Sequence, residues 1–245
     1  MASALDSFPG YRRRFKVVPE SGKVAAALED DFHCMLVTLR HDGETIQQAT
    51  GVMERWPWTT CPGAQAVLKA TFEGVKLDAA ASRGEKRRNC THLHDLALLA
   101  AAHAHDDAPT TYDILVSDPV DRRTEAEIRR GGSTIMRFVH EDSVLIEPAE
   151  VEGVSLFKLR SWIDSLNDPQ REAARLLQWA TIVAHGRQIP MEDQSDATRV
   201  PPNCYTFQPE QAVNAVRIGE IIDFSASDAT PLDHFDGAAF HKRES

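Results

Sequence analysis

The chain has 245 residues, 42% of them hydrophobic and 26% charged, with 13 glycines and 13 prolines, a composition that excludes fibrous and disordered classes. Its 37 acidic and 27 basic residues leave a formal charge of -10, which argues against nucleic acid and anionic membrane surfaces as partners. No apolar run approaches the roughly 18 residues of a membrane helix, the longest candidate being residues 96–102.

Residues 1–10 carry no basic segment followed by an apolar stretch, so no secretory signal is read there. Cys34, Cys61, Cys90 and Cys204 are accordingly expected as reduced thiols, and the predicted location is cytoplasmic. Length allows one large domain or two small ones, and the expected organisation is a single compact domain over 1–225, with a second lobe over 151–225 as the alternative and 226–245 as a poorly ordered tail.

In chain order, residues 11–19 have strand character, and 31–54 read as two strands joined at the Asp42-Gly43 turn. On the first of these, alternation puts His33, Met35 and Val37 on one face and Phe32, Cys34 and Leu36 on the other. Ala64, Val67, Leu68 and Phe72 fall at helical spacing within 61–73, before Gly74. A basic loop, 84–89, leads into a helix over 91–105 whose face carries Leu93, Leu96, Ala97 and Ala100. A second β-rich block follows at 110–117, 122–130, 134–140 and 143–147. The remainder reads as helical: an apolar face from Leu156 to Leu166, a helix from Asp168 to about His185, and a third over 208–222 opened by Pro209. Residues 190–199 and Pro201-Pro202 are loop, with a lid as one use for them. The predicted class is α+β, a mostly antiparallel sheet of two hairpin regions packed by helices, with a helical C-terminal part.

Chemistry is narrowed first by exclusion. The chain has no Gly-x-Gly-x-x-Gly, no Walker loop, no Cys-x-x-Cys, no His-Glu-x-x-His and no Gly-x-Ser-x-Gly, which disfavours redox and phosphoryl transfer. Acid–base or metal-assisted chemistry remains. Cys90 and His92 sit at the mouth of the 91–105 helix, where the dipole favours a thiolate; with Cys61 or His33 they could also bind zinc. Against this, a buried cysteine is usually a small hydrophobe, and His92 could simply bridge loops. His33 has the side chain best suited to carry protons near neutral pH, although a histidine among apolar neighbours is more often a satisfied core residue. Arg55, Trp56 and Trp58 can form an aromatic wall with a clamp for a carboxylate or phenolate, or can plug the edge of the core.

The order Asp31-Phe32-His33-x-Met35, Arg55-x-Pro57-x-x-x-Cys61-Pro62, residues 68–74, then Asn89-Cys90-Thr91-His92-Leu93 before an alanine-rich helix resembles the bacterial family known as domain of unknown function 2889. The resemblance covers about residues 10–108, and its most specific part is Cys90-Thr91-His92-Leu93; Asn89 stands where that family usually has glycine. It implies that His33, Cys61, Cys90 and His92 group in space, and a setting in the breakdown of aromatic and acyl compounds.

Exclusion, inventory and resemblance together give the expected function. This is a cofactor-independent catabolic lyase acting by acid–base chemistry on an aromatic small molecule, for example by retro-aldol release of formaldehyde from a lignin-derived dimer. His33, His92 and Cys61 are the expected catalytic residues, and Arg55, Trp56, Trp58 and Cys90 the expected substrate-binding ones. The alternatives are a metal-dependent hydrolase or lyase with zinc or another divalent ion on the Cys/His residues, and a non-enzymatic protein that holds an aromatic ligand. Expected partners are the small molecule and, as an assembly, a homodimer.

Overall fold

A computed structural model of the chain describes residues 4–189 and 196–235. The chain is an α+β protein with eight strands among the described residues, and every pairing given below is antiparallel. It divides into two compact units: one of Phe15–Thr110, Met191–Ile222 and Leu232–Ser245, the other of Met1–Arg14, Thr111–Pro190 and Asp223–Pro231. Strand β1, Gly10–Glu20, runs through both.

In the first unit β2 (Lys23–Asp30), β3 (Cys34–His41) and β4 (Ile46–Arg55) form a meander, with Leu28 opposite Met35 and Val37 opposite Gly51. All eight residues of β2 are buried, because both faces of this part of the sheet are covered. One face carries α1 (Ala64–Phe72) and α2 (Thr91–Ala102), and Gly51 fixes which. A Cβ at Gly51 would lie 2.9 Å from Leu68 Cδ2 and 3.2 Å from Leu93 Cδ1, so the helices rest where the strand has no side chain. Met35, Val37 and Leu39 share that face by register and alternation. The other face, with Ala25, Ala27, Cys34 and Leu36, is covered by Leu232 and Phe235. The division of β3 into these two faces follows the predicted alternation. Leu232 and Phe235 fall in the stretch expected to be a loose tail, yet they are buried here; the rest of that stretch, 236–245, lies outside the described residues, as does most of the expected lid.

The third predicted helix is a correction. Only α5, Pro209–Ala212, is helical; residues 214–218 instead run beside Pro57–Thr59, with Ile218 N–H donating to the Pro57 carbonyl at 3.0 Å and Thr59 N–H to that of Val216 at 3.0 Å. Gly219 then takes a φ of 87°, and a Cβ there would meet the Trp56 carbonyl at 2.8 Å. Tertiary pairing has overridden the apolar periodicity.

In the second unit β5 (Thr110–Ser117), β6 (Arg123–Arg130), β7 (Ser133–Glu141) and β8 (Val144–Glu147) follow in order, and α4 (Asp168–Ala184) packs on β6 and β7. A short α3, Arg160–Ser165, precedes α4, whose N-cap Asn167 accepts from Gln170 N–H.

His140 of β7 is 2% exposed, with the His185 ring 5.8 Å away. Burial first, then His185, push its pKa down to about 4, and its Nδ1 accepts from Ser143 N–H, which needs the neutral ring. In the unfolded chain the same ring titrates near 6.5, so the unfolded state binds more protons between those values. The stabilisation is complete above about pH 6.5 and is lost as pH falls toward 4, with an upper bound of about 3 kcal/mol. Urea unfolding at several pH values is expected to show this slope in the natural protein and a shallower one in His140→Gln; equal slopes would refute it.

Candidate functional site

The site lies in the first unit and starts from the β2–β3 turn. Asp31, Phe32 and His33 join the two strands, and the Asp30 carboxylate, fully buried, organises them. Asp30 Oδ1 accepts the backbone N–H groups of Phe32 and His33, both at 2.8 Å, and lies 3.0 Å from His33 Nδ1. A carboxylate at that position calls for the proton on Nδ1, which makes Nε2 the lone-pair nitrogen of the neutral ring. An aspartate three residues before a histidine at a hairpin turn therefore does two jobs, closing the turn and setting a tautomer.

His92 arrives from the other side as the second residue of α2. Cys90 is the N-cap, in extended backbone at φ -61°, ψ 122°. Asn89 before it is also extended, at φ -90°, ψ 166°, so this position needs no glycine. Its buried amide donates to Thr71 Oγ1 at 3.0 Å and to the Glu85 carbonyl at 3.2 Å, and its own carbonyl accepts from Tyr205 N–H at 2.8 Å. These bonds moor the start of the helix.

The two imidazoles meet. The ring centroids of His33 and His92 are 3.9 Å apart at an interplanar angle of 33°, and both residues are more than nine-tenths buried. Donor atoms of Asp30, His33 and His92 lie within 4.8 Å of one another. Rings stacked at this distance repel if both are protonated, so when the pair takes up a proton Asp30 favours His33 as its seat. The N-terminus of α2 opposes charge on His92 in the same sense. The result is a base held by a buried carboxylate beside a neutral N–H donor. The three donors could also hold a divalent ion, although stacked rings aim their lone pairs side by side rather than at one point.

The other predicted residues take different places. Arg55 is committed to the frame: its Nη2 donates to Glu29 Oε1 at 3.0 Å and to the Asp30 carbonyl at 2.7 Å, while Nη1 is buried without a hydrogen bond among the described residues. Trp58 is buried, with Arg217 stacked 5.4 Å over its ring and Phe207 edge-on at 5.7 Å; Trp56 is half-buried and offers an indole N–H without an acceptor among the described residues.

Cys61 Sγ lies 3.3 Å from Thr206 Oγ1, and burial pushes its thiol pKa up. Burial also raises Cys90, and pushes Cys204 up to about 11. At Cys90 desolvation therefore outweighs the helix dipole expected to favour a thiolate. These thiols are protonated at neutral pH, and neither Cys61 nor Cys90 belongs to the three-donor group that contains His33 and His92. None of the four cysteines is in a disulfide.

Sequence reasoning missed Asp30, Glu29, Thr206 and Arg217. Asp30 alone had a local signal, its spacing to His33 across a turn. Arg217 and Thr206 come from a segment more than 140 residues away from the loop they pack against, for which no local pattern exists. Beside Phe32, whose ring is 6.1 Å from that of His33, Pro57, Arg217, Ile218 and Glu220 line a shallow depression.

No protein-family model matches the chain, and no curated protein matches it. Among the described residues no helix is long and apolar enough to cross a membrane.

Proposed function

We propose that the chain is a cofactor-independent lyase that cleaves a carbon–carbon bond in an aromatic small molecule by proton transfer. The observation that carries this reading is the Asp30–His33–His92 group: a buried carboxylate bonded to one imidazole, with a second imidazole stacked on it at 3.9 Å. In a retro-aldol cleavage His33 Nε2 takes the proton of a hydroxymethyl oxygen. The oxygen's electrons close the carbonyl of formaldehyde, and the carbon–carbon bond breaks. The electron pair left on the substrate carbon is delocalised into an adjacent electron-accepting group, then collects a proton from the histidine pair. Asp30 stabilises the imidazolium formed in the first step. Arg217, in the depression beside Phe32, supplies charge for a phenolate or carboxylate.

The test is mass spectrometry of the protein with a panel of aromatic dimers and acyl-aromatic acids, without added cofactor, together with an assay for free formaldehyde. A product with the mass of the substrate less formaldehyde supports the reading. Tight binding of panel members with no mass change overturns it in favour of a ligand-binding protein. A second reading, a metal-dependent lyase, rests on the three donors within 4.8 Å. Product formation abolished by a chelator and restored by zinc would favour it.

A further inference from the structure

We propose that Glu29, Cys34 and His234 form a site for a thiophilic divalent cation of zinc's class, separate from the histidine pair. Cys34 lies opposite Glu29 in the β2–β3 register, on the face of the sheet turned away from the helices, and His234 comes from the segment that covers that face. One donor atom from each of the three lies within 4.8 Å of the others.

The spacing is that of ligands around an ion rather than of partners to each other. His234 Nδ1 and Glu29 Oε2 are 3.8 Å apart, too far for a hydrogen bond. Donors bound to one tetrahedral zinc at roughly 2.0–2.3 Å stand about 3.3–3.8 Å from each other. Thiolate, imidazole and carboxylate together select zinc-like ions over magnesium and calcium, which take oxygen alone.

The surroundings fit the charge. Glu29 and the Cys34 thiolate neutralise a dication; Glu29 Oε1 is bonded to Arg55 at 3.0 Å, which leaves Oε2 as the atom turned to the ion. Glu54 Oε2 lies 4.0 Å from His234 Nε2, beyond hydrogen-bond reach, and adds negative charge beside the site. The same oxygen is 3.8 Å from Cys34 Sγ and accepts the thiol proton until a cation replaces that proton, which then leaves to solvent. Glu29 and Cys34 are buried, whereas the His234 side chain is 56% exposed, so the ion enters from that side and a water completes its shell. Because Leu232 N–H donates to Glu29 Oε2 and Phe235 packs with Cys34, a bound cation clasps residues 232–235 onto the sheet.

Titration of metal-free protein with cobalt(II) tests this directly. One cobalt per chain is expected, with a thiolate-to-cobalt charge-transfer band in the near ultraviolet that zinc abolishes by displacement. The band is expected to be absent in Cys34→Ser and the affinity at least tenfold lower in His234→Ala, whose exposed side chain can be removed without disturbing the core. In His92→Ala the band persists, which separates this site from the histidine pair. No thiolate band in the natural protein, or a band at full strength in Cys34→Ser or at unchanged affinity in His234→Ala, overturns the proposal.

Discussion

His33→Ala and His92→Ala are each expected to lower kcat/KM for a converted substrate by about 10²–10⁴-fold, the usual contribution of a positioned acid or base. The two losses are not additive. If the stacked rings act as one proton-carrying unit, either single substitution disables it, and the double variant falls little below the singles. A purely structural role for the rings predicts a different pattern, in which the residual activity per folded molecule, counted by circular dichroism, stays at the natural level. Full turnover in either folded variant removes that residue from the mechanism. His33→Gln refines the comparison, because an amide fills the site and can hydrogen-bond but cannot accept a proton. It is expected to keep the fold and lose turnover as His33→Ala does.

How far such a site is legible before folding depends on which interactions are local. The β3–β4 hairpin is announced by Asp42-Gly43 between two apolar alternations, and α2 by its alanine and leucine face. Both lie where the pattern puts them, within three residues. Strand β2 gives no such notice: Lys-Val-Ala-Ala-Ala-Leu-Glu-Asp has a helix former's composition, and it is a strand because its neighbours bury both of its faces. The approach of His33 to His92 is of the same kind. No spacing in the sequence joins positions 59 residues apart, and their grouping was an implication of resemblance alone. The Cys90 thiol shows the opposite failure, a local rule correctly applied and then outweighed by burial. Arg55 was read as a substrate clamp from its company of tryptophans. Its Nη2 is already taken by Glu29 and the Asp30 carbonyl, contacts made across the sheet that the sequence around it does not encode.

Asp30 carries the second large effect, and two substitutions separate its roles. Asp30→Ala leaves the N–H groups of Phe32 and His33 without their acceptor in a buried turn and frees the His33 ring. The expected loss is about 3–4 kcal/mol of unfolding free energy, read from urea denaturation with its slope unchanged. Asp30→Asn keeps an oxygen for both backbone donors, so the turn survives at a cost of about 1 kcal/mol. What it cannot keep is the negative charge. Oδ1, which caps the turn, is also the carboxylate atom nearest His33 Nδ1, so the amide oxygen still accepts from Nδ1–H while the amide nitrogen takes the place of Oδ2, 3.3 Å from the ring nitrogen. The variant is therefore expected to fold, to keep the Nδ1–H form of His33 in ¹⁵N spectra of the imidazole, and to lose turnover by about 10²-fold or more, because no carboxylate stabilises the imidazolium. Undiminished turnover in the folded variant would show that Asp30 only holds the turn. Stability lost equally in both variants would place the energy in the carboxylate's charge rather than in the two backbone bonds that the amide retains.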